Sequence, residues 1–461
     1  MAEDRISKLP NTVIGHILSF LPTEDATQTC LLSKRWKLMW HLVPTLSFSD
    51  TNFHWSWDFY NYVENCLAHR KKGMYYMDDS VITSFKLEMG YFYQTSNSAL
   101  LDEWLAFAVK NKVKEINLRL NFSPEDGYYY LLPKTVVNSI DLTILELEGL
   151  DLGTSSIKLP ALKTLSLKFC YFDDYDLGDG LFKFLLGCPS LEKLLIDSSL
   201  NLSSADDQLR LQSSSLKFIK IDNLENVVPL QVEAINLESL ELSGFIFKNS
   251  SLSACKAIRN LSLTFNDNDC IENMSSLEYI ISNLPLLENL TLKDYYKLKL
   301  EQCERIKISN QQLKSFNLKN GNAKYDHGMN VIIESAPKLT SFCYEGNINF
   351  TIAMESSHSL NGIFLIRNLH ENYDSNWFNS IMIFLLNLNC SWNIVILHVH
   401  SEKDLILSDN FKRICRSPLL NWKHLRVNTT CKPKNMSDLK DALMWISPSL
   451  ETLSINEKVL L

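Results

Sequence analysis

A six-residue pattern, apolar at its first, fourth and sixth positions, recurs along most of this chain and leaves few folds open to it. It stands at Leu162-x-x-Leu165-x-Leu167 and returns at Leu191-x-x-Leu194-x-Ile196, Leu216-x-x-Ile219-x-Ile221, Leu237-x-x-Leu240-x-Leu242 and Ile258-x-x-Leu261-x-Leu263. It continues through Leu287-x-x-Leu290-x-Leu292, Leu313-x-x-Phe316-x-Leu318, Leu339-x-x-Phe342-x-Tyr344 and Leu360-x-x-Ile363-x-Leu365. Weaker copies precede these at Ile82-x-x-Phe85-x-Leu87, Val113-x-x-Ile116-x-Leu118 and Leu142-x-x-Leu145-x-Leu147. Successive starts lie 20 to 31 residues apart, the period of stacked repeats that each supply one strand and one return segment.

The spacing has a direct physical reading. Side chains alternate along a strand, so the fourth and sixth residues point to one side. The first residue enters the same core from the preceding bend. One strand cannot bury its apolar face alone, so neighbouring repeats stack in parallel around a shared core. Between the strands the apolar spacing is helical, as in Leu101, Trp104, Leu105, Ala108 and Val109, or Leu277, Ile280, Ile281 and Leu284. Pro189, Pro285 and Pro337 each stand two residues before a hexamer, where proline ends a helix and tolerates a strand edge. The predicted fold is α/β: a repeat solenoid over 81–370, with parallel strands inside and helices outside. Residues between the apolar positions face outward, and the candidate target-binding set is Lys193, Phe218, Lys220, Glu241, Asn260, Asn289, Lys293, Asn317 and Lys319. Lys168, Lys193, Lys220, Lys293 and Lys319 alternate with Asp197, Asp222, Glu241 and Glu345. That mixture predicts a solvated face of both signs in preference to a phosphate site.

Charge and composition exclude several function classes. The formal charge of the 461 residues is −8, whereas nucleic-acid binding calls for a concentrated basic face. No apolar run approaches the roughly 18 residues that read as a membrane span. The first residues, Met1-Ala2-Glu3-Asp4-Arg5, are acidic where a secretory leader would be basic, so a soluble chain of the nucleus and/or cytoplasm is expected. The 11 cysteines are an odd number, scattered singly with no Cys-x-x-Cys pair, which disfavours disulfides and zinc. No cofactor is expected.

Ahead of the repeats, 1–50 has a different character. Leu9-Pro10 opens a helical stripe of Val13, Ile14, Ile17, Leu18 and Leu21, which Pro22 closes. Thr23 is the expected N-cap of a second helix, with Glu24 and Asp25 complementing its dipole. Ser33 caps a third, Lys34 to Trp40. Three short helices in so few residues bury little surface of their own, so part of their apolar surface is expected to meet a partner. The string Ile6-Ser7-Lys8-Leu9-Pro10, Ile17-Leu18-Ser19-Phe20-Leu21-Pro22, Leu32-Ser33-Lys34-Arg35-Trp36 and Trp40 resembles the F-box of plant F-box/leucine-rich-repeat proteins. That resemblance implies a substrate receptor of a Skp-cullin-F-box ubiquitin ligase, which grips a Skp-type adaptor (the plant ASK family) and through it a cullin. The implied adaptor-binding residues are Leu9, Pro10, Ile14, Ile17, Leu18, Leu21, Pro22, Cys30, Leu32, Ser33, Trp36 and Trp40, as contacts or as the helices framing them. A helical linker or cap is expected over 51–80.

Regularity decays after Leu365, and 371–461 reads as irregular repeats. Hexamers reappear at Trp422-x-x-Leu425-x-Val427 and Leu450-x-x-Leu453-x-Ile455, with a helical pattern over 438–446 between them. The residues from Leu419 to Leu453 resemble the FBD module that ends many such plant proteins, which implies a closing strand-helix-strand unit. No catalytic constellation accompanies any of this. Gly-x-Ser-x-Gly and phosphate-binding loops are missing, and His398 and His400 share a strand face without further ligands in their run. In the family the resemblance implies, catalysis belongs to other subunits and the receptor supplies proximity. The competing reading is a repeat scaffold or inhibitor that never joins a ligase and uses its first helices as a cap.

Overall fold

The computed structural model describes residues 6–73, 81–90, 94–121, 129–153, 157–172, 177–197, 209–222, 229–244, 250–265, 274–294, 305–319, 329–354, 360–367, 375–388, 391–407, 409–414 and 416–460. The chain divides into two compact units, Met1–Asn226 and Val227–Leu461.

The first unit begins with three short helices, α1 (Asn11–Ser19), α2 (Thr23–Gln28) and α3 (Lys34–Met39), and 3-10 turns at Thr29–Leu31 and Trp40–Leu42. Strands β1 (Thr45–Ser49), β2 (Ser84–Met89) and β3 (Glu115–Leu120) come next, with α4 (Ser56–Gly73) and α5 (Gln94–Lys110) between them. The unit continues with β4 (Tyr130–Leu131), α6 (Lys134–Val137), β5 (Ile144–Glu148), β6 (Leu150–Asp151), β7 (Thr164–Lys168), α7 (Leu177–Leu186), β8 (Lys193–Asp197), β9 (Leu209–Gln212) and β10 (Phe218–Asp222). The strands β1, β2, β3, β5, β7, β8 and β10 pair in that order, all parallel, and hexamer residues lie opposite one another: Phe85 with Ile116, Leu118 with Leu147, Leu165 with Leu194. In this unit the first, fourth and sixth residues of each hexamer are buried, as Leu162, Leu165 and Leu167 show. Burying one such side chain is worth about 1.5–3 kcal/mol, and the repeat supplies three per turn of the stack.

The second unit holds β11 (Leu230–Glu233), β12 (Ser239–Ser243), β13 (Asn260–Thr264), α8 (Met274–Ser282), β14 (Asn289–Lys293), β15 (Arg305–Ser309), β16 (Ser315–Lys319), β17 (Met329–Ser335), β18 (Ser341–Gly346), β19 (Phe350–Met354) and β20 (Leu360–Ile366). Helix α9 (Ser375–Asn387), β21 (Trp392–Val399), α10 (Asp409–Ile414), β22 (His424–Thr429), α11 (Met436–Ile446), β23 (Thr452–Ile455) and β24 (Lys458–Val459) complete it. Its main sheet runs β12, β13, β14, β16, β18, β20, β21, β22, β23 in parallel, and β24 turns back antiparallel against β23. A second parallel layer, β15, β17 and β19, lies behind it, with α8 and α9 packed on its outer strands. The predicted stripes are buried at all but one position: Leu101, Trp104, Leu105 and Ala108 on α5, with Val109 half-buried, and Leu277, Ile280, Ile281 and Leu284 on and after α8.

Two sequence expectations need correcting. Thr23 does not cap α2. Pro22 occupies that position, and the Thr23 hydroxyl is buried, accepting the Ser47 amide of β1 at 2.7 Å. The second correction concerns the hexamer Leu360-x-x-Ile363-x-Leu365. In β20 the inward residues are Gly362, Phe364 and Ile366, while Ile363 and Leu365 face outward. Register confirms the slip, since Tyr344 lies opposite Phe364 and Cys343 opposite Ile363. A one-residue slip exchanges the two faces of a strand. Aromatic packing selects this face: the Phe364 ring stands edge-on to Trp392 at 5.3 Å and 6.0 Å from Phe342. Gly362 makes the room, because a Cβ there would sit 2.7 Å from the Phe364 ring and 2.8 Å from Trp392.

Candidate functional site

The residue-level design of the first helices explains the motif that marked them. Pro10 supplies the N-cap of α1. Arg35 reaches back from α3, donating to the Leu9 carbonyl and, through Nε, to Asn11 Oδ1 at 2.9 Å. Ser33 accepts the Trp36 amide at 3.3 Å and caps α3. Ser-Lys-Arg-Trp and Leu-Pro are thus the two halves of one clasp.

The clasp sorts the predicted residues by burial. Ile14, Leu18, Trp36 and Trp40 are buried within the chain and frame the segment. Leu9, Leu21, Cys30 and Ser33 are half-buried, and Pro10, Ile17, Pro22 and Leu32 are exposed. Beside them stand apolar side chains outside the implied adaptor-binding set. Phe20 is 74% exposed and Leu31 90%, with Ile6, Val13 and Leu38 also open to solvent. Large apolar groups so exposed within one short segment mark an interaction surface. No pattern in the sequence separates Val13 and Ile17 from Ile14 and Leu18 of the same stripe; helical periodicity gives a face, and only the packing of α1 on α3 shows which edge stays open.

The opposite side of the segment is fastened to helix α4 and strand β1. Arg70 of α4 is fully buried and donates to the carbonyls of Trp40 (2.8 Å) and Val43 (2.7 Å), its guanidinium 5.7 Å from the Trp40 ring centre. Burial lowers its pKa to about 10 and leaves it a cation. His41 packs beside it, and burial, then the charge of Arg70, hold its pKa at about 4.

The second surface is the outward row of the parallel strands. In the first unit Lys193 and Phe218 are register partners, with the ammonium 5.4 Å from the ring centre, while Lys220 pairs with Asp222 at 2.8 Å. Lys168 pairs with Glu148 at 2.9 Å and Lys86 with Glu115 at 2.8 Å. In the second unit Asn260, Asn289, Ser315 and Ser341 form one row, and Asn289 donates to Asn260 at 2.7 Å. Glu241, Ser262, Thr291, Asn317 and Cys343 form the next, with Asn317 donating to Thr291 at 3.3 Å. Lys293 and Lys319 stand opposite each other in the third. Further along, the polar rows give way to Ile363, Leu365, Ile394 and Ile396, a stretch that sequence reasoning missed. Its signal is β21 itself, where Ile394-Val395-Ile396-Leu397 is apolar on both faces, as in strands covered on both sides.

Chemically the buried thiols are inert. Burial pushes Cys66 up to about 11 and Cys170 and Cys188 to about 12, so they stay protonated. His398 is lowered by burial. Among the described residues no three of His, Cys, Asp and Glu gather as metal ligands, and no helix is long and apolar enough to cross a membrane.

Comparison with known proteins bears on both surfaces. Residues 6–47 match the F-box domain family model. Residues 101–262 match the model described as FBD-associated F-box protein At5g56370, LRR repeats. The chain is 32% identical over 206 residues to the F-box/LRR-repeat protein At4g14103 of Arabidopsis thaliana, covering 42% of this chain and 50% of that one. It is 26% identical over 393 residues to the F-box/FBD/LRR-repeat protein At1g78750, covering 74% and 82%, and 29% identical over 352 residues to the F-box/FBD/LRR-repeat protein At2g04230, covering 74% and 73%, both from the same plant. The matched region thus spans half the length of the first relative and about three quarters or more of the other two.

Proposed function

We propose, on the premise that this chain carries an F-box domain ahead of leucine-rich repeats of the kind found in plant F-box proteins, that it is the substrate receptor of a Skp-cullin-F-box ubiquitin ligase. The exposed side of 1–50 binds a Skp-type adaptor of the ASK family and through it a cullin. The segment 51–80 links it to repeats over 81–370, whose outward rows bind a target protein, and 371–461 closes the stack with an FBD-like module. The chain performs no chemistry of its own. It holds the target near the transferring subunits, and proximity supplies the rate. Its place is the nucleus and/or the cytoplasm.

The observation that carries this reading is the two-sided F-box segment. Arg70 and Thr23 fasten one side, and Phe20, Leu31, Leu32 and Leu38 remain in water on the other. A mere cap would turn its apolar side chains inward. Affinity capture of the whole chain from plant extract under proteasome inhibition tests it. Wild type is expected to retain an ASK-type adaptor and a cullin, and Leu31→Asp with Leu38→Asp to lose both while keeping the same target proteins. Wild type that retains neither adaptor nor cullin overturns the reading, and loss of the first fifty residues without loss of function would favour the scaffold.

A further inference from the structure

The outward face of the second unit changes character along its length, and the change is local. From β12 to β18 its middle row is Glu241, Ser262, Thr291, Asn317 and Cys343. In the next two strands the same row is Ile363 and then Ile396, directly opposite each other. Leu365 and Ile394 stand beside them and are also outward, Ile394 exposed and Leu365 half-buried. The one-residue slip of β20 is what presents Ile363 and Leu365 here instead of burying them.

Beyond the aliphatic stretch the row reaches Arg426, the register partner of Ile396. A recess of about 410 Å³ opens at this point, with Ile394, Ile396, His424 and Arg426 in its lining. That is near the small end of the roughly 300–1,000 Å³ of drug-sized pockets, space for one large side chain and its neighbour. The His424 ring is held by the Thr452 hydroxyl, 2.9 Å from Nδ1. Among the described residues no carboxylate lines the recess, although the whole chain is net acidic. Several cations elsewhere on the strand faces meet carboxylates, as in Lys168 with Glu148, Lys220 with Asp222 and Arg367 with Glu345. The nearby Glu451 is engaged by Lys423 at 2.8 Å. Arg426 is exposed and, among the described residues, has no carboxylate partner. The backbones of β21 and β22 are paired on both sides, so recognition here falls to side chains and not to strand addition.

We propose that this recess is the docking site for an acidic, extended segment of the target protein, in which an aliphatic or aromatic side chain rests on Ile394 and Ile396 while an Asp or Glu two residues away, on the same face of the segment, meets Arg426. Charge complementarity selects the occupant. A planar guanidinium pairs with a carboxylate through two parallel hydrogen bonds, and strand geometry places Arg426 about 5 Å from Ile396 across the sheet, within reach of two side chains on the same face of an extended peptide, which stand two residues and about 6.5–7 Å apart. The proposal rests on the substrate-receptor reading and names the patch that reading would use.

The test is a synthetic array of randomised 12-residue peptides, probed with the purified full chain. The expected result is enrichment of peptides with a large apolar residue two positions from Asp or Glu. Arg426→Glu is expected to reverse the preference to Lys or Arg at the same offset, and Ile394→Ser with Ile396→Ser to weaken binding of the enriched peptides at least tenfold. All three positions are exposed or half-buried, and an unchanged thermal melt verifies the fold of each variant. An array with no enrichment, or a preference that Arg426→Glu leaves unaltered, overturns the proposal. Binding of an ASK-type adaptor, read on the same preparations, separates the outcomes. Adaptor binding without acidic-peptide preference defeats this docking site alone, and peptide preference without adaptor binding defeats the receptor reading alone.

Discussion

Arg70 shows how much one side chain decides in the first unit. Its guanidinium is fully buried and holds the carbonyls of Trp40 and Val43, the two residues that carry the chain out of the helical segment and into β1. Arg70→Met keeps the volume and removes both donors, leaving two buried acceptors unsatisfied. Hydrogen bonds from a charged donor are worth about 1.5–3 kcal/mol each, and part of that is offset because a buried cation no longer needs desolvating. A loss of about 3 kcal/mol in the first unit is expected, measured by denaturant unfolding. His41, beside it, makes stability depend on pH. The folded ring has a pKa of about 4 against 6.5 when unfolded, so between those values the unfolded chain takes up a proton that the folded chain declines. Its contribution is complete above pH 6.5 and falls away as the pH drops towards 4. After allowance for solvent screening the loss is on the order of 2 kcal/mol. Stability against pH, compared between wild type and His41→Gln, checks it: the variant is expected to show a shallower decline across that window.

At the scale of elements, the hexamers made most strands legible before any coordinates, because three buried apolar positions at fixed spacing fix both the strand and its inward face. The pattern failed at β20 for a physical reason. Residues 363 to 366 are apolar without a break, Ile-Phe-Leu-Ile, so alternation could not tell which pair turns inward. The choice belongs to tertiary packing, where Phe364 fits against Phe342 and Trp392 over a glycine. Gly362→Ala is therefore expected to cost about 1–3 kcal/mol, the range for overpacking a core, and to broaden the near-ultraviolet signal of those aromatics; an unaltered melt and spectrum would show that the cluster yields freely. The recess at Ile394 and Arg426 was illegible too, since its lining comes from β21, β22 and β23, segments far apart in sequence that only strand pairing brings together. In the N-terminal helices the stripe was readable, and its division was not. Ile14 and Leu18 close the core while Val13 and Ile17 of the same stripe stay outside, a distinction set by where Arg35 and Ser33 lock α3 against the start of α1.

For the molecule as a whole, the account rests on one chain offering two kinds of surface: an apolar helical edge near its start and outward strand rows in each of its units. Neither needs a catalytic group, and the buried thiols are held protonated. The edge is the part through which the proposed function would join the molecule to a ligase, so it bears the most direct test. Isothermal titration of the purified full chain with a purified ASK-type adaptor should give a one-to-one complex. Leu31→Asp with Leu38→Asp should weaken that complex at least a hundredfold while the melting temperature stays within about 2 °C, as substitutions at exposed sites do. No heat of binding with wild type, or an affinity the paired aspartates leave intact, would contradict the account.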